Sequence, residues 1–254
     1  MFRKTFFVLI ALTVLVMLAS SHVCAREKKE SLKAVDLQIT MRDLWMDHIF
    51  WIRSLVLATK YSDNDAAKVA EDRIVKNAKD IAGAVAPFYG KDSGDKFFGL
   101  LIGHYDAIKD YLAAAIAGNK EGKVLALGKL KKNADEIATF LSSANPENWP
   151  KDMLLSLLIA HSGHHIEQID EVVAKDYGAE AATWEAMKNH VYTIADDLAG
   201  GIEEGNAQIA DRAEIEQIFV FRKEFRHAFR ELTCPAFGHF QAGCARQVIL
   251  KILT

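Results

Sequence analysis

One repeated pattern limits the folds open to this chain. The segments LLIGH (100–104) and LLIAH (157–161) are nearly identical, and MDH (46–48) takes the equivalent place earlier, so that a histidine returns after 56 and then 57 residues. Apolar residues recur at three- and four-residue spacing throughout, which is typical of amphipathic helices. A repeat of helical hairpins indicates a closed bundle or a short solenoid, and three hairpins without capping repeats favour the bundle.

The same spacing predicts about six helices, since no strand pattern of any length occurs between Glu27 and Gly205. The predicted fold is therefore all-α, a bundle of three pseudo-repeated hairpins followed by a C-terminal tail. The approximate ranges expected for the helices are Leu32–Thr59, the cap Ser62–Asp65 to Ala86, Gly94–Ala117, the residues after Gly118-Asn119 to Leu141, Lys151–Lys175 and Ala179–Ile202.

Proline and glycine mark the expected ends of several helices. The turn Pro87–Gly90 is expected to break the chain after the second helix, and Ser142–Pro150 after the fourth. Gly200, Gly201 and Gly205 are expected to end the sixth helix, because glycine commonly follows the last helical turn.

The N-terminus has the layout of an export signal. Arg3 and Lys4 precede an apolar run from Thr5 to Ala19, and Val23–Ala25 offers small residues for cleavage. The run is shorter than the roughly 20 residues that a spanning helix needs. We therefore expect cleavage, no stable membrane anchor, and a periplasmic or extracellular protein. The expected organisation is a signal peptide at 1–25, the helical bundle at 26–205 and a C-terminal extension at 206–254.

Composition and missing motifs exclude several function classes. With a formal net charge of −3 at pH 7, no basic face dominates, so nucleic acid is not an expected partner. The sequence has no Gly-rich phosphate loop for a nucleotide and no Cys-x-x-Cys-His for covalent haem. Cys24 would leave with the signal, whereas Cys234 and Cys244 can pair in an oxidising compartment.

The inward histidines are the main functional signal. Helices packed in a bundle direct their inner side chains to a common centre, so His48, His104 and His161 can meet there. Neutral imidazole binds Zn, Fe or Ni well, and three such ligands with water form an open site. His165 follows His161 by one helical turn and is a further candidate ligand, whereas His164 is expected to be exposed.

Polar residues on the second helices can support these ligands. Asn77 and Asn133 follow their histidines by 29 residues, and Asp80 and Glu136 lie three residues further on. Either carboxylate can bind the metal or fix the second ring nitrogen of a histidine. The alternative is that the histidines are core residues with asparagine partners, because a duplicated hairpin copies its histidine whether or not the copies meet.

Two kinds of function therefore remain. One is an exported bundle that binds a divalent metal, with its possible catalysis, substrate and partner unassigned. The other is a metal-free structural or binding bundle, in which the turns FYG (88–90) and NPENW (145–149) form a recognition surface.

The chain also resembles a family of uncharacterised bacterial helical proteins. The resemblance is carried by LWMDHIFWIR (44–53), KNAKDIAGAVAPFYG (76–90) and KNADEIATFLSSANPENW (132–149), beside the family's LWxEHxxWTR, DIGxAIKPFYG and NADEIAxFLSxANPxW, and runs across about 40–205. Members are sometimes labelled glycosyltransferase or acetylglutamate kinase, and no motif of this chain supports either activity. The family's chains usually stop near the position of Ile202, so the tail departs from the pattern.

A second, local resemblance concerns the fifth helix. HSGHHIEQI (161–169) is similar to the HxxxHRGQI segment of DinB-type bundles, whose three histidines bind a divalent metal. This resemblance implies that His161 and His165 are ligands and that Gln168 occupies the matching place. It also implies that His104 or His48 supplies the third histidine.

Overall fold

The computed structural model describes the backbone of residues 35–232 and the side chains of residues 35–206. All of the regular structure in this part is helical, as predicted, and it comprises six helices. They are α1 (35–60), α2 (Asn64–Tyr89), α3 (Lys91–Ile116), α4 (Lys120–Ala144), α5 (Lys151–Ala174) and α6 (Tyr177–Leu232).

The chain divides into two compact units, Met1–Gly205 and Asn206–Thr254, of which the first contains the bundle. The expected signal peptide at 1–25 lies outside the described residues, as do Cys234 and Cys244. The cleavage and disulfide expectations therefore stay predictions.

Polar side chains begin several helices, as the sequence indicates for α2. Asp63 accepts a hydrogen bond at 3.0 Å from the backbone N–H of Ala66, and Asn119 accepts one at 2.9 Å from Gly122 at the start of α4. Each bond satisfies a backbone donor that has no partner within the first helical turn. The connections between the helices are short, from one residue at Gly90 to six at 145–150.

Two expected helix ends are wrong. Helix α2 includes Pro87 and runs to Tyr89, and α3 begins at once at Lys91. Gly90 makes the break alone: its φ of +89° is a conformation that glycine adopts without strain. A proline so close to a helix end removes one backbone donor without preventing the last turn.

The sixth helix does not end at its glycines. Gly200, Gly201 and Gly205 lie inside α6, which continues to Leu232. A Cβ atom on Gly201 would lie 1.9 Å from Nε1 of the fully buried Trp149. This glycine therefore serves the close approach of the Trp149 ring, and its helical conformation is maintained by packing in spite of its low helix propensity.

The core of the bundle consists of two clusters of buried apolar side chains. The first includes Trp45, Leu101 and Leu158, and the second includes Ile52 and Ile108. Helices α1, α3 and α5 each contribute to both clusters. Along each of these three helices the inward histidines fall where one cluster gives way to the other, so the fold places them deep in the interior.

Two arginines of α1 connect this helix to α6. Arg42 donates to both carboxylate oxygens of Asp196, at 2.7 and 2.6 Å. Arg53 does the same with Glu180, at 2.6 and 2.8 Å. The planar guanidinium matches the carboxylate in both pairs, so the first and last helices of the bundle keep a defined register.

Candidate metal centre

Four buried histidines from three helices form one cluster. His48 comes from α1, His104 from α3, and His161 and His165 from α5. Their exposed fractions are only 6%, 5%, 1% and 1%. One ring nitrogen from each residue can be chosen so that all four atoms lie within 4.8 Å of one another. The sequence-based prediction that these histidines face a common centre agrees with this geometry.

The closest ring nitrogens have the separation that a shared ion requires. Nε2 of His161 lies 3.4 Å from Nε2 of His48 and 3.2 Å from Nε2 of His165. Two nitrogens bound to one tetrahedral zinc at about 2.0–2.1 Å stand about 3.3–3.4 Å apart. The same separations also permit hydrogen bonds between neutral imidazoles, one ring donating and the other accepting.

The local spacing on α5 explains why one helix supplies two of the imidazoles. His161 and His165 are four residues apart and lie on the same face of the helix. Their ring centroids are 4.5 Å apart with the planes at 76°. His104 completes the group from α3, where its ring stacks against that of His161 at a centroid distance of 5.5 Å.

Burial keeps all four imidazoles neutral at ordinary pH. It lowers the pKa of His48 to about 3, with a further contribution from His104, and it lowers the pKa of His104 to about 4. The pKa values of His161 and His165 also lie well below the usual range, because of burial first and the neighbouring imidazoles second. A neutral imidazole has the free lone pair that a metal ion needs.

Several polar atoms of the cluster have no hydrogen-bond partner among the described residues. They are Nε2 of His104, Nδ1 of His161 and Nδ1 of His165. Buried polar atoms are normally paired, so each unpaired one calls for an explanation. An ion bound by the ring nitrogens would explain why Nε2 of His104 is buried without a hydrogen-bond partner among the described residues.

Asn77 of α2 and Asn133 of α4 each bind the backbone of a neighbouring helix that carries a clustered histidine. Asn77 donates at 2.8 Å to the carbonyl of Leu44, and Asn133 donates at 2.9 Å to the carbonyl of Leu100. Each carbonyl lies four residues before a clustered histidine. The side chain of Asn133 also raises the pKa of His104, against the larger effect of burial.

His190 makes the equivalent contact in the third hairpin, and it is not among the residues predicted from the sequence. Its Nε2 donates at 2.9 Å to the carbonyl of Leu157, which lies four residues before His161. The sequence contains a signal for this residue. His190 follows His161 by 29 residues, the same interval that separates His48 from Asn77 and His104 from Asn133. His190 therefore helps to hold the backbone of α5 next to the cluster, as Asn77 and Asn133 do for α1 and α3.

Asp80 and Glu136 do not join the group of four histidines in the described part of the chain. Asp80 forms an ion pair with Lys76, and Glu136 forms one with Lys132 at 3.3 Å. The two carboxylate side chains are 41% and 45% exposed, whereas the imidazoles are almost fully buried. An oppositely charged lysine four residues earlier draws each carboxylate to the outer surface of its helix.

The other polar residues of α5 lie beside the cluster. Gln168 is buried and donates at 2.9 Å to Glu180, the partner of Arg53. His164 is half-buried, lies 3.5 Å from a carboxylate oxygen of Glu167, and places its ring 5.4 Å from that of His190. The Gln168 implied by the DinB resemblance thus joins an ion-pair network.

The turns considered as a recognition surface pack against each other and against α6. Asn145 donates to the hydroxyl of Tyr89 at 3.1 Å and to the carbonyl of Gly201 at 2.6 Å. Trp149 donates at 3.1 Å to the carbonyl of Asp197. Because Asn145 and Trp149 are buried, these two side chains are not available to an external partner.

No family model, no curated protein and no solved structure matches this chain. Among the helices in the described part of the chain, none combines the length and apolar character needed to cross a membrane.

Proposed function

We propose that the bundle binds one divalent transition-metal ion through His48, His104, His161 and His165. The observation that carries this proposal is the convergence of four buried ring nitrogens from three helices within 4.8 Å. Burial of four imidazoles costs free energy, because each polar nitrogen loses its hydration, and a bound ion would offset this cost. Unpaired atoms such as Nε2 of His104 add to this argument.

The donor set favours a particular class of metal. Four neutral nitrogens suit zinc, iron(II), nickel and their first-row neighbours, whereas calcium and magnesium require oxygen ligands. When bound, such an ion supplies Lewis acidity next to the bundle core. The protein residues hold the imidazoles neutral by burial and fix the helices through Asn77, Asn133 and His190.

We further propose that the protein acts outside the cytoplasm. The support for this is the arrangement of the first 25 residues, with two basic residues before an apolar run and small residues at the end. Fusion of residues 1–25 to a reporter enzyme that works only after export would test it. Reporter activity in the periplasm or medium is expected, and activity confined to the cytoplasm would contradict the proposal.

The competing function is a metal-free bundle in which the imidazoles bond to one another. The His48–His161 and His161–His165 separations permit such bonds, so geometry alone is compatible with both functions. Metal analysis of protein purified without a histidine tag separates them. Each clustered histidine is replaced in turn by phenylalanine, which roughly preserves the ring volume, and circular dichroism verifies the fold.

His164→Phe is the matched control, because it changes a histidine on the same helix outside the cluster. We expect about one ion per chain in the wild type and in His164→Phe, and an affinity lowered more than about 100-fold in the cluster variants. The proposal fails if the folded wild type takes up no metal, or if every cluster variant retains it.

A further inference from the structure

The four clustered histidines lie deep in the bundle, so an ion from solvent must pass other residues to reach them. None of the four is more than 6% exposed. The cavity that adjoins the cluster is lined mainly by aliphatic and aromatic side chains, together with Asp197. A divalent cation would lose its hydration among apolar side chains without gaining ligands, which costs free energy. A route that offers ligand atoms of its own is therefore favoured.

Two further imidazoles continue from the cluster towards the surface. The ring of His190 stacks on that of His161, with centroids 6.2 Å apart and planes at 16°. The ring of His164 lies 5.4 Å from that of His190. Within the cluster, the rings of His48 and His161 have the same centroid distance of 5.4 Å, and their Nε2 atoms are 3.4 Å apart. Imidazoles at this separation are close enough for an ion to pass from one ring to the next.

The side chains of this series differ in their exposure to solvent. His161 is 1% exposed, whereas His190 is only partly buried. The side chain of His164 is 25% exposed and that of Glu167 is 62% exposed. A carboxylate oxygen of Glu167 lies 3.5 Å from Nδ1 of His164. Because an exposed carboxylate attracts cations, the series leads from a negative charge at the surface to the buried cluster.

Both outer imidazoles have a ring nitrogen with which to bind an ion. Nε2–H of His190 donates to the carbonyl of Leu157, and burial lowers the pKa of this histidine. Nδ1 of the neutral ring therefore carries a free lone pair. Nδ1 of His164 is buried and has no hydrogen-bond partner among the described residues, since its contact with Glu167 lacks hydrogen-bond geometry. Buried polar atoms are normally paired, and a passing cation supplies the missing partner.

The outer ligands are arranged more loosely than the inner ones. Within residues 35–206, the four clustered histidines have ligand atoms that all lie within 4.8 Å of one another. His164, His190 and Glu167 form no such compact group in this part of the chain. Loosely arranged ligands hold an ion weakly and release it readily. Such an arrangement suits the transfer of an ion better than its storage.

We infer that His164 and His190, with Glu167 at the surface, form an entry site through which a divalent transition-metal ion reaches the buried histidines. This inference rests on the metal site proposed above. The carboxylate attracts the hydrated ion, and the two imidazoles replace its water ligands before it passes to His161. Because the entry site lies on the path and not at its end, it changes the rates of uptake and release by the same factor. The equilibrium affinity is then unchanged.

Cobalt(II) is the probe, because its visible absorption reports tetrahedral coordination by nitrogen. Stopped-flow mixing with metal-free, untagged protein measures uptake, and displacement of bound cobalt by excess zinc measures release. We expect His164→Phe to slow both rates about tenfold at unchanged affinity. His190→Asn removes the imidazole but supplies a donor for the carbonyl of Leu157, and it is expected to slow uptake by a similar factor.

Two carboxylates provide a matched comparison of charge. Glu167→Gln is expected to slow uptake about twofold at low ionic strength and less at high ionic strength. Glu136→Gln is the control, because this exposed carboxylate forms its ion pair with Lys132. We expect it to leave the uptake rate unchanged. Asp197→Asn tests the competing route along the cavity and is also expected to leave the uptake rate unchanged.

The outcomes distinguish this inference from the metal proposal. A wild type that binds no cobalt overturns both. Cobalt binding with unchanged uptake in His164→Phe or in His190→Asn overturns the entry site alone. Slower uptake in Asp197→Asn alone would place the route at the cavity and also overturn it. A lower affinity of His164→Phe at an unchanged uptake rate would show that this histidine holds the bound ion, which contradicts a role in entry.

Discussion

The inner and outer faces of α2 and α4 both carry polar side chains, but those on the inner face are buried and those on the outer face are exposed. In α2, Asn77 is buried and bonded to the backbone of α1, whereas Asp80, three residues later, lies at the surface beside Lys76. Helix α4 repeats the contrast with Asn133 and Glu136. Within one helical turn, a polar group that fixes the backbone near the histidines is followed by one that meets only solvent and a neighbouring lysine.

The largest expected effect comes from acid on the metal-free protein. Because burial lowers the pKa of His48 to about 3 and of His104 to about 4, the unfolded chain takes up protons near pH 6.5 while the folded chain does not. Stability is therefore greatest above about pH 6.5 and is lost as pH falls, by up to about 1.4 kcal/mol per pH unit for each buried histidine.

Urea denaturation between about pH 6.5 and 5 measures this loss above the range in which ordinary carboxylates titrate. His104→Phe should reduce the slope, whereas His164→Phe, outside the cluster, should change it less. A free energy of unfolding that stays constant over this range would show that the imidazoles are hydrated and accessible to protons.

Next in size is the contrast between two adjacent glycines of α6. Gly201→Ala places a methyl group against Trp149 and is expected to cost about 1–3 kcal/mol of stability. Gly200→Ala meets no atom within 4 Å and is expected to stabilise the helix by about 0.5–1 kcal/mol. Thermal or chemical denaturation compares the two, and equal effects would contradict the close packing of Trp149.

The supporting hydrogen bonds should have a smaller effect. Asn133→Ala removes the side-chain donor to the carbonyl of Leu100 and is expected to cost about 1–2 kcal/mol and to lower metal affinity about tenfold. His190→Asn supplies the donor used in the other hairpins, so it should be tolerated better than His190→Ala. Isothermal titration with zinc measures the metal affinity, and denaturation measures the stability. Equal values for His190→Asn and His190→Ala would contradict the supporting role of the His190 hydrogen bond.

The outer face should give the smallest effect. Asp80→Asn and Glu136→Gln each break an exposed ion pair, so stability should change by less than about 0.5 kcal/mol and metal content should stay the same. Loss of metal in either variant would show that the carboxylate supports the metal site, and it would contradict the difference between the two faces.

Sequence periodicity was sufficient to predict six helices, but not the ends of α2 and α6, and it predicted the inward direction of His48, His104 and His161. Spacing alone placed His165 with them, because residues four apart share a helix face. The orientation of Asp80 and Glu136 was not predictable in the same way. A residue three positions from a buried asparagine lies at the edge of that face, and the competing lysine decides its direction.

Other features depend on contacts between distant segments. Gly201 looks like a helix end in the sequence, and only the position of Trp149 explains its place within α6. His190 differs in residue type from Asn77 and Asn133. A comparison of residue types therefore does not detect that all three donate equivalent hydrogen bonds. Shared function at a repeated position is carried by the donor atom, which two residue types can both supply.

The most direct measurement is anomalous X-ray diffraction from crystals of untagged protein grown with zinc and recorded on both sides of the zinc absorption edge. We expect one anomalous peak within about 2.0–2.1 Å of a ring nitrogen of His48, His104, His161 and His165. A metal peak confined to His164 and His190, or no peak among the four buried imidazoles, would contradict the account.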